Sequence, residues 1–275
     1  MSTIPNDRKF NENLVYGNEQ KHKEWINILD RYLINYYNGV HNITQSEKEC
    51  KEKYINPNVL LSIRISNLTQ TSTNADIDTY ISTIPKHNDL LHILQKKFEH
   101  VSSIENKKCI IRYYNLGFNG QQWSSTSGFK LKLKSIHPNI HEAFASPFNC
   151  TFTDAYFSLF LDDRVFGSKG NFFDNKDYTI PLYVNPPFAP IILEKLPNIL
   201  SNYKSYILIV PTWSDAAWYK QILSTSNFCY SKNNGSITYE HNGALFKPHF
   251  KTTIFGKDPN KKKLDNLYEI VSNIE

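Results

Sequence analysis

The first hundred residues place apolar side chains at helical spacing. Between Glu19 and Tyr37, the residues Trp25, Ile28, Leu29, Tyr32 and Leu33 form one stripe that ends near Asn38-Gly39. That is the period of an amphipathic helix followed by a stop signal. Gln45–Tyr54 is a charged helical segment, and a further stretch runs from Pro57 to Leu68. Asn88 stands at a cap position ahead of Leu90, Leu91, Ile93, Leu94 and Phe98, which again recur at helical intervals. Residues 1–105 are expected to be a helical region whose stripes face a core.

Past residue 105 the pattern changes. Short apolar runs predict strands at Cys109–Tyr114, around Ala143, around Val165, at Leu182–Val184, at Tyr206–Pro211 and at Thr252–Phe255. Phe129–Ile136 reads as a short helix alternating with lysines, and Pro190–Tyr203 as a helical stretch. Gly117–Gly128 is a loop that holds Gln122 and Trp123. Short apolar strands alternating with helices predict an α/β domain over 106–275, built on a mostly parallel, doubly wound sheet.

Composition narrows the function classes. Of 275 residues, 40% are hydrophobic and 21% charged, which supports a packed core and excludes wholesale disorder. The net charge of +5 suits a nucleotide or nucleic-acid substrate but is far from a polycation. Aromatic residues make up 14%; most fill the core, and some are available to stack on bases. Cys50, Cys109, Cys150 and Cys229 lie far apart, with no CxxC pair and no histidine at ligand spacing. Neither a zinc site nor a disulfide framework is expected, and no metal. The N-terminus has no apolar core segment and no run approaches a membrane span, so an intracellular location is expected, the cytoplasm ahead of the nucleus. No membrane partner is expected.

The informative tetrapeptide is Asn185-Pro186-Pro187-Phe188, directly after the strand Leu182–Val184 and before a helical pattern. Ligand sites in open α/β sheets lie at the carboxyl ends of strands. Two prolines fix φ and remove backbone donors, leaving carbonyls that act only as acceptors. The Asn185 side chain and these carbonyls suit an exocyclic amino group, and Phe188 offers a face for a base. The competing reading is a proline-stiffened turn with no catalytic part. Upstream, Glu142-Ala143-Phe144-Ala145-Ser146-Pro147-Phe148-Asn149 follows a strand, with small residues where a backbone can approach a ligand. Between the two lies Phe166-Gly167-Ser168-Lys169-Gly170-Asn171-Phe172-Phe173, whose glycines permit a tight turn.

Taken in order, ExFASPxNC, FGSxGxFF, NPPF and the strand end Val210-Pro211-Thr212-Trp213 resemble the family of the phosphorylated CTD-interacting factor, whose members are cap-specific adenosine N6-methyltransferases. The resemblance spans about residues 110–255 and, more loosely, the helices before them. It implies a Rossmann-like class I methyltransferase sheet with S-adenosyl-L-methionine as cofactor. Asn185, Pro186, Pro187 and Phe188 would form the catalytic loop. Phe144, Ala145, Ser146, Pro147 and Asn149, with Gly167, Ser168, Gly170 and Asn185, would bind the cofactor. Trp213, Gln122, Trp123 and Tyr183 would contact substrate, and Lys247-Pro248-His249-Phe250 also matches a family segment. The implied partner is capped RNA, methylated at the first transcribed adenosine. DNA or internal RNA as substrate, and an inactive nucleic-acid-binding subunit of the same fold, are the alternatives. One departure matters: Trp25, Trp123, Trp213 and Trp218 do not pair at WW-module spacing, so binding to a polymerase tail is not implied.

Overall fold

A strand buried on both faces belongs in the interior of a sheet, and Tyr206–Pro211, with all six residues buried, occupies that position in the computed structural model. The structure describes residues 69, 72–115, 124–188, 190–233, 235, 237–241 and 244–273. The helices expected at 19–37, 45–54 and 57–68, and the loop residues Gln122 and Trp123, lie outside these.

In chain order the elements begin with α1 (Asn74–Ser82), α2 (His87–Lys97), α3 (Ser103–Asn115), β1 (Ser124–Ser125), α4 (Ser127–Ile136), β2 (His141–Ala143) and β3 (Leu182–Val184). There follow α5 (Pro190–Leu193), α6 (Leu196–Leu200), β4 (Tyr206–Pro211), α7 (Ala217–Thr225) and β5 (Phe228–Lys232). The chain continues with β6 (Tyr239–His241), β7 (Ala244–Phe246), β8 (Thr252–Lys257) and α8 (Lys261–Ser272).

The chain divides into two compact units, residues 1–87 with 106–117, and residues 88–105 with 118–275. In the first, α1 opens on a reciprocal cap between Thr73 and Asp76, which satisfies two amides that the helix leaves open. Ile77, Ile81, Cys109, Ile110, Ile111 and Tyr113 are buried, and Lys107 pairs with Asp78 at 2.6 Å.

The second unit carries the main sheet, in the order β2-β3-β4-β8-β5. The pairs β2–β3 and β3–β4 are parallel, whereas β8 runs antiparallel to both β4 and β5. Side chains alternate across it, as period two requires. Leu182, Val184, Leu208 and Val210 pack with Leu193, Leu196, Leu200 and Trp218 from α5, α6 and α7. Tyr183, Ile207 and Ile209 pack on the other face with Phe129 and Leu133 of α4 and Leu267 and Val271 of α8. The result is a three-layer α/β/α unit. Two isolated parallel bridges, Glu142 with Tyr156 and Tyr156 with Ser168, extend the ladder beyond β2. A small antiparallel sheet, β1-β6-β7, adds Tyr239 to the α4 side.

The mostly parallel sheet expected over 106–275 carries one reversed strand: β2, β3, β4 and β5 run the same way and β8 alone runs against them, which makes the sheet mixed. Three other expectations are corrected. Cys109–Tyr114 is helical, within α3, since five consecutive buried residues are compatible with a helix covered on all sides. The segment around Val165 is a 3-10 turn, Leu161–Phe166, closed by Gly167 in the left-handed region at φ 91°. Pro190–Tyr203 contains two short helices rather than one, the second carrying Pro197 in its first turn, where a proline is tolerated.

Candidate active site at the carboxyl edge of the sheet

The parallel register pairs Ala143 with Val184. The next residues, Phe144 and Asn185, therefore leave adjacent strands at the same edge, about 5 Å apart by the interstrand spacing. Next to them, β4 runs three residues past Leu208, the partner of Val184, and ends at Pro211. Thus the Phe144–Asn149 loop, the Asn185–Phe188 loop and the Thr212-Trp213 segment all emerge at one edge.

Asn185 and Pro186 are buried, and Pro187 and Phe188 half-buried. The Phe188 ring meets Tyr239 edge-on at 6.4 Å and Phe250 at 5.7 Å. The late Lys247–Phe250 segment thereby reaches the loop through Phe250. Proline at 186 and 187 leaves the turn with acceptors and no donors of its own at these positions.

The loop after β2 begins with a strained residue. Phe144 has φ 61°, a left-handed conformation uncommon for a residue with a bulky side chain. Its ring packs on Phe172 at 5.1 Å and Phe173 at 5.4 Å. Ala145 N–H donates to Phe157 O at 2.9 Å. Ser146 and Asn149 close the turn on each other: Ser146 N–H donates to Asn149 Oδ1 at 2.8 Å, and Asn149 N–H to Ser146 O at 3.2 Å.

Beneath this turn lies a buried ion pair that the sequence reading did not single out. Lys130 Nζ of α4 donates to Glu142 Oε2 at 2.6 Å and to Asn149 O at 2.8 Å. The two side chains are 1% and 2% exposed. Glu142 Oε1 also accepts from the amides of Thr151 and, at 2.7 Å, Phe152. Lys97 of α2 adds a second tie, donating to Pro147 O at 3.0 Å and to Cys150 O. Burial pushes the Cys150 thiol up to about 11, so it stands as a protonated core side chain rather than a nucleophile.

Ser168 and Gly170 belong to the same edge. Ser158 N–H donates to Gly170 O at 3.0 Å, and the Ser158 and Ser168 hydroxyls are 2.7 Å apart. Gly167 is set by packing, since a Cβ there would meet Thr153 O at 2.1 Å. The proposed substrate contacts divide. Trp213 is 38% exposed and meets Trp218 edge-on at 6.1 Å. Tyr183 is 1% exposed, and its hydroxyl lies 2.5 Å from that of Ser125. Burial, against the opposing effect of that hydrogen bond, raises the Tyr183 phenol well above its ordinary value. A ring so enclosed is part of the core and offers no face to an added base.

A cavity of about 450 Å3 adjoins the loop after β2, with Phe148, Asn149 and Cys150 in its wall. Among the described residues no cluster of three His, Cys, Asp or Glu is placed to hold a metal ion. No described helix is long and apolar enough to cross a membrane.

A family model described as the phosphorylated CTD interacting factor 1 WW domain matches residues 87–242, more than half of the chain. The matched stretch runs from the start of α2 through the parallel strands to β6. No curated protein was found to match the chain.

Proposed function

The chain belongs to the phosphorylated CTD-interacting factor 1 family, and from that membership we propose that it is an S-adenosyl-L-methionine-dependent methyltransferase acting on N6 of adenosine. The proposed substrate is the first transcribed adenosine next to an mRNA cap. The observation that carries the reading is the register of β2 with β3, which sets the Phe144–Asn149 loop beside Asn185-Pro186-Pro187-Phe188.

Strand order supports the Rossmann-like part of the proposal. Numbered along the chain, the positions at Glu142, Tyr156, Ser168, β3, β4, β5 and β8 lie in the order 3-2-1-4-5-7-6. This is the doubly wound order with one antiparallel strand inserted. The order reverses between positions 1 and 4, where both loops emerge, and ligands of such sheets bind at that switch point.

The residues present suit the cofactor. Its polar ends call for hydrogen-bonding groups and its adenine for apolar walls. The edge offers Ser146, Asn149, Ser158 and Ser168 beside Phe144, Phe172 and Phe173. Bound there, S-adenosyl-L-methionine would supply an electrophilic methyl group. The chain's own residues would prepare the amine. The N6 lone pair of adenine is delocalised into the ring and is a poor nucleophile. The Asn185 side-chain oxygen and a loop carbonyl would accept its two hydrogens, drawing nitrogen toward a tetrahedral geometry with its lone pair directed at the methyl. These acceptors also favour the positive charge that grows on nitrogen as the bond forms. Phe188 would stack on the base, holding it in plane. Trp213, exposed beyond β4, is the proposed aromatic platform for the cap guanine. The family description names a factor that interacts with a phosphorylated CTD, which brings a protein partner into consideration alongside RNA.

The test is methyl transfer from labelled cofactor to capped and uncapped RNAs that begin with A, and to DNA. Labelling restricted to the capped RNA is expected. Equal labelling of uncapped RNA would remove the cap from the proposal, and labelling of DNA alone would replace the substrate class.

A further inference from the structure

Six amides of the loop after β2 are already spoken for. Ala145, Ser146, Asn149, Cys150, Thr151 and Phe152 donate to Phe157 O, Asn149 Oδ1, Ser146 O, Ser146 O, Glu142 and Glu142. Pro147 has no amide, so side chains are the main groups this loop can offer a ligand, in place of a backbone cradle.

The cavity of about 450 Å3 beside the loop supplies them. Lys97, at the end of α2, and Glu240, in β6, both line it. Among the described residues neither takes part in an ion pair. The Lys97 ammonium donates to Pro147 O and Cys150 O, and an ammonium has three donors, so one remains for the cavity. The second lysine in the wall, Lys130, is neutralised by Glu142. Glu240 is held in place by the pairing of β6 with β1, where it stands opposite Ser124. Ser124 and Ser127 add hydroxyls to the same wall.

A wall with one cation and one anion not joined to each other discriminates by charge. A phosphate is attracted by Lys97 but repelled by Glu240, and a simple amine meets the reverse. A ligand that carries both charges close together satisfies both groups. We propose that this cavity binds the zwitterionic head group of an α-amino acid, its carboxylate received by Lys97 and its ammonium by Glu240. Resting on the methyltransferase reading, this head group is the amino-acid end of S-adenosyl-L-methionine; a free amino acid presents the same chemistry.

Calorimetry on the full chain separates these cases. The probes are S-adenosylhomocysteine, 5′-methylthioadenosine, which keeps the nucleoside and sulfur but lacks the amino-acid end, and free L-methionine. The variants are Lys97→Met and Glu240→Gln; the second touches no loop carbonyl and so keeps the test independent of loop folding. Each is expected to weaken S-adenosylhomocysteine by about tenfold to a hundredfold, as for one lost charge-assisted contact, and to leave 5′-methylthioadenosine unchanged. Unchanged affinity for S-adenosylhomocysteine in Glu240→Gln would overturn the site while leaving the methyltransferase reading intact. Equal weakening of both nucleosides would overturn it as well, because the residues would then act through the fold. Binding of methionine but of neither nucleoside, lost in both variants, would support the head-group site and overturn the cofactor reading. Binding of none of the three would overturn both.

Discussion

The pair Lys130–Glu142 is the strongest single tie on the loop after β2, and its removal gives a sharp prediction. At 1% and 2% exposure and 2.6 Å separation, neither charge is screened by water. Lys130→Met leaves the Glu142 carboxylate buried with two amide donors but no opposite charge. Breaking such a pair from one side costs about 3–5 kcal/mol. Glu142→Gln keeps an oxygen for the Thr151 and Phe152 amides but turns an NH2 toward the Lys130 ammonium, at a similar cost. In the double variant both charges are gone, one buried amide donor is left without its partner and Asn149 O loses the Lys130 donor, about 1–3 kcal/mol for each. The double variant should therefore lose far less than the sum of the single losses. At about 2–4 °C per kcal/mol, Lys130→Met should melt roughly 10 °C lower. Urea unfolding of the four proteins measures the cycle, and amide exchange at Thr151 and Phe152 reports whether the loop loosens locally. A cost below about 1 kcal/mol for Lys130→Met, or simple additivity in the double variant, would refute the claim that this pair fixes the loop.

Three further outcomes are expected. Asn185→Ala removes an acceptor but leaves the turn set by Pro186 and Pro187, so single-turnover methyl transfer should fall on the order of 10²-fold while calorimetric affinity for S-adenosylhomocysteine changes little; near-normal turnover would make the tetrapeptide a stiff turn only. Gly167→Ala places a Cβ 2.1 Å from Thr153 O at a φ of 91°, and should cost more than about 1 kcal/mol in urea unfolding; a neutral result would mean the turn re-forms without it. His137 sits between Asp258 at 3.3 Å and Lys263 at 3.2 Å, and burial, then Lys263, hold it below its ordinary value near 6.5 against the opposing pull of Asp258. The neutral imidazole is the folded form, so the unfolded chain binds the extra proton, and stability falls as pH drops below about 6.5 toward the folded value; melting across that range should lose part of its slope in His137→Asn, and an unchanged slope would count against it.

The central strands were legible in the sequence because Leu182–Val184 and Tyr206–Pro211 are short, apolar on both faces and bounded by loops, a combination with few other solutions. The Asn185–Phe188 loop was legible because its two prolines mark a strand end. Cys109–Tyr114 was not, since a short run that is apolar but for Arg112 lacks the periodicity that separates a buried helix from a buried strand; the polar lead-in Ser103–Lys108, which continues the helix, was the available sign. The antiparallel course of β8 leaves no trace in composition. Lys130 did leave one. It lies among Phe129, Leu133 and Ile136 on the buried side of α4, and a lysine on an apolar face demands a partner. That partner, Glu142, stands 12 residues along the chain, beyond what local spacing indicates.

The loop after β2 also shows how a glycine-poor chain builds a tight ligand-side turn. Only 10 of 275 residues are glycine, and none lies between Glu142 and Phe152. The left-handed position that opens the loop falls to Phe144, at a backbone cost of about 1–2 kcal/mol. Its ring contacts with Phe172 and Phe173, each about 0.5–1.5 kcal/mol beyond burial, offset that cost. Ser146 and Asn149 then hold each other, and Glu142 gathers the last two amides. A glycine turn would have left its amides open to an anion. This one consumes six of them internally, so selectivity at the edge passes from the backbone to charged side chains. The same choice that fixes the loop without glycine makes Lys97 and Glu240 the groups through which it can recognise a ligand.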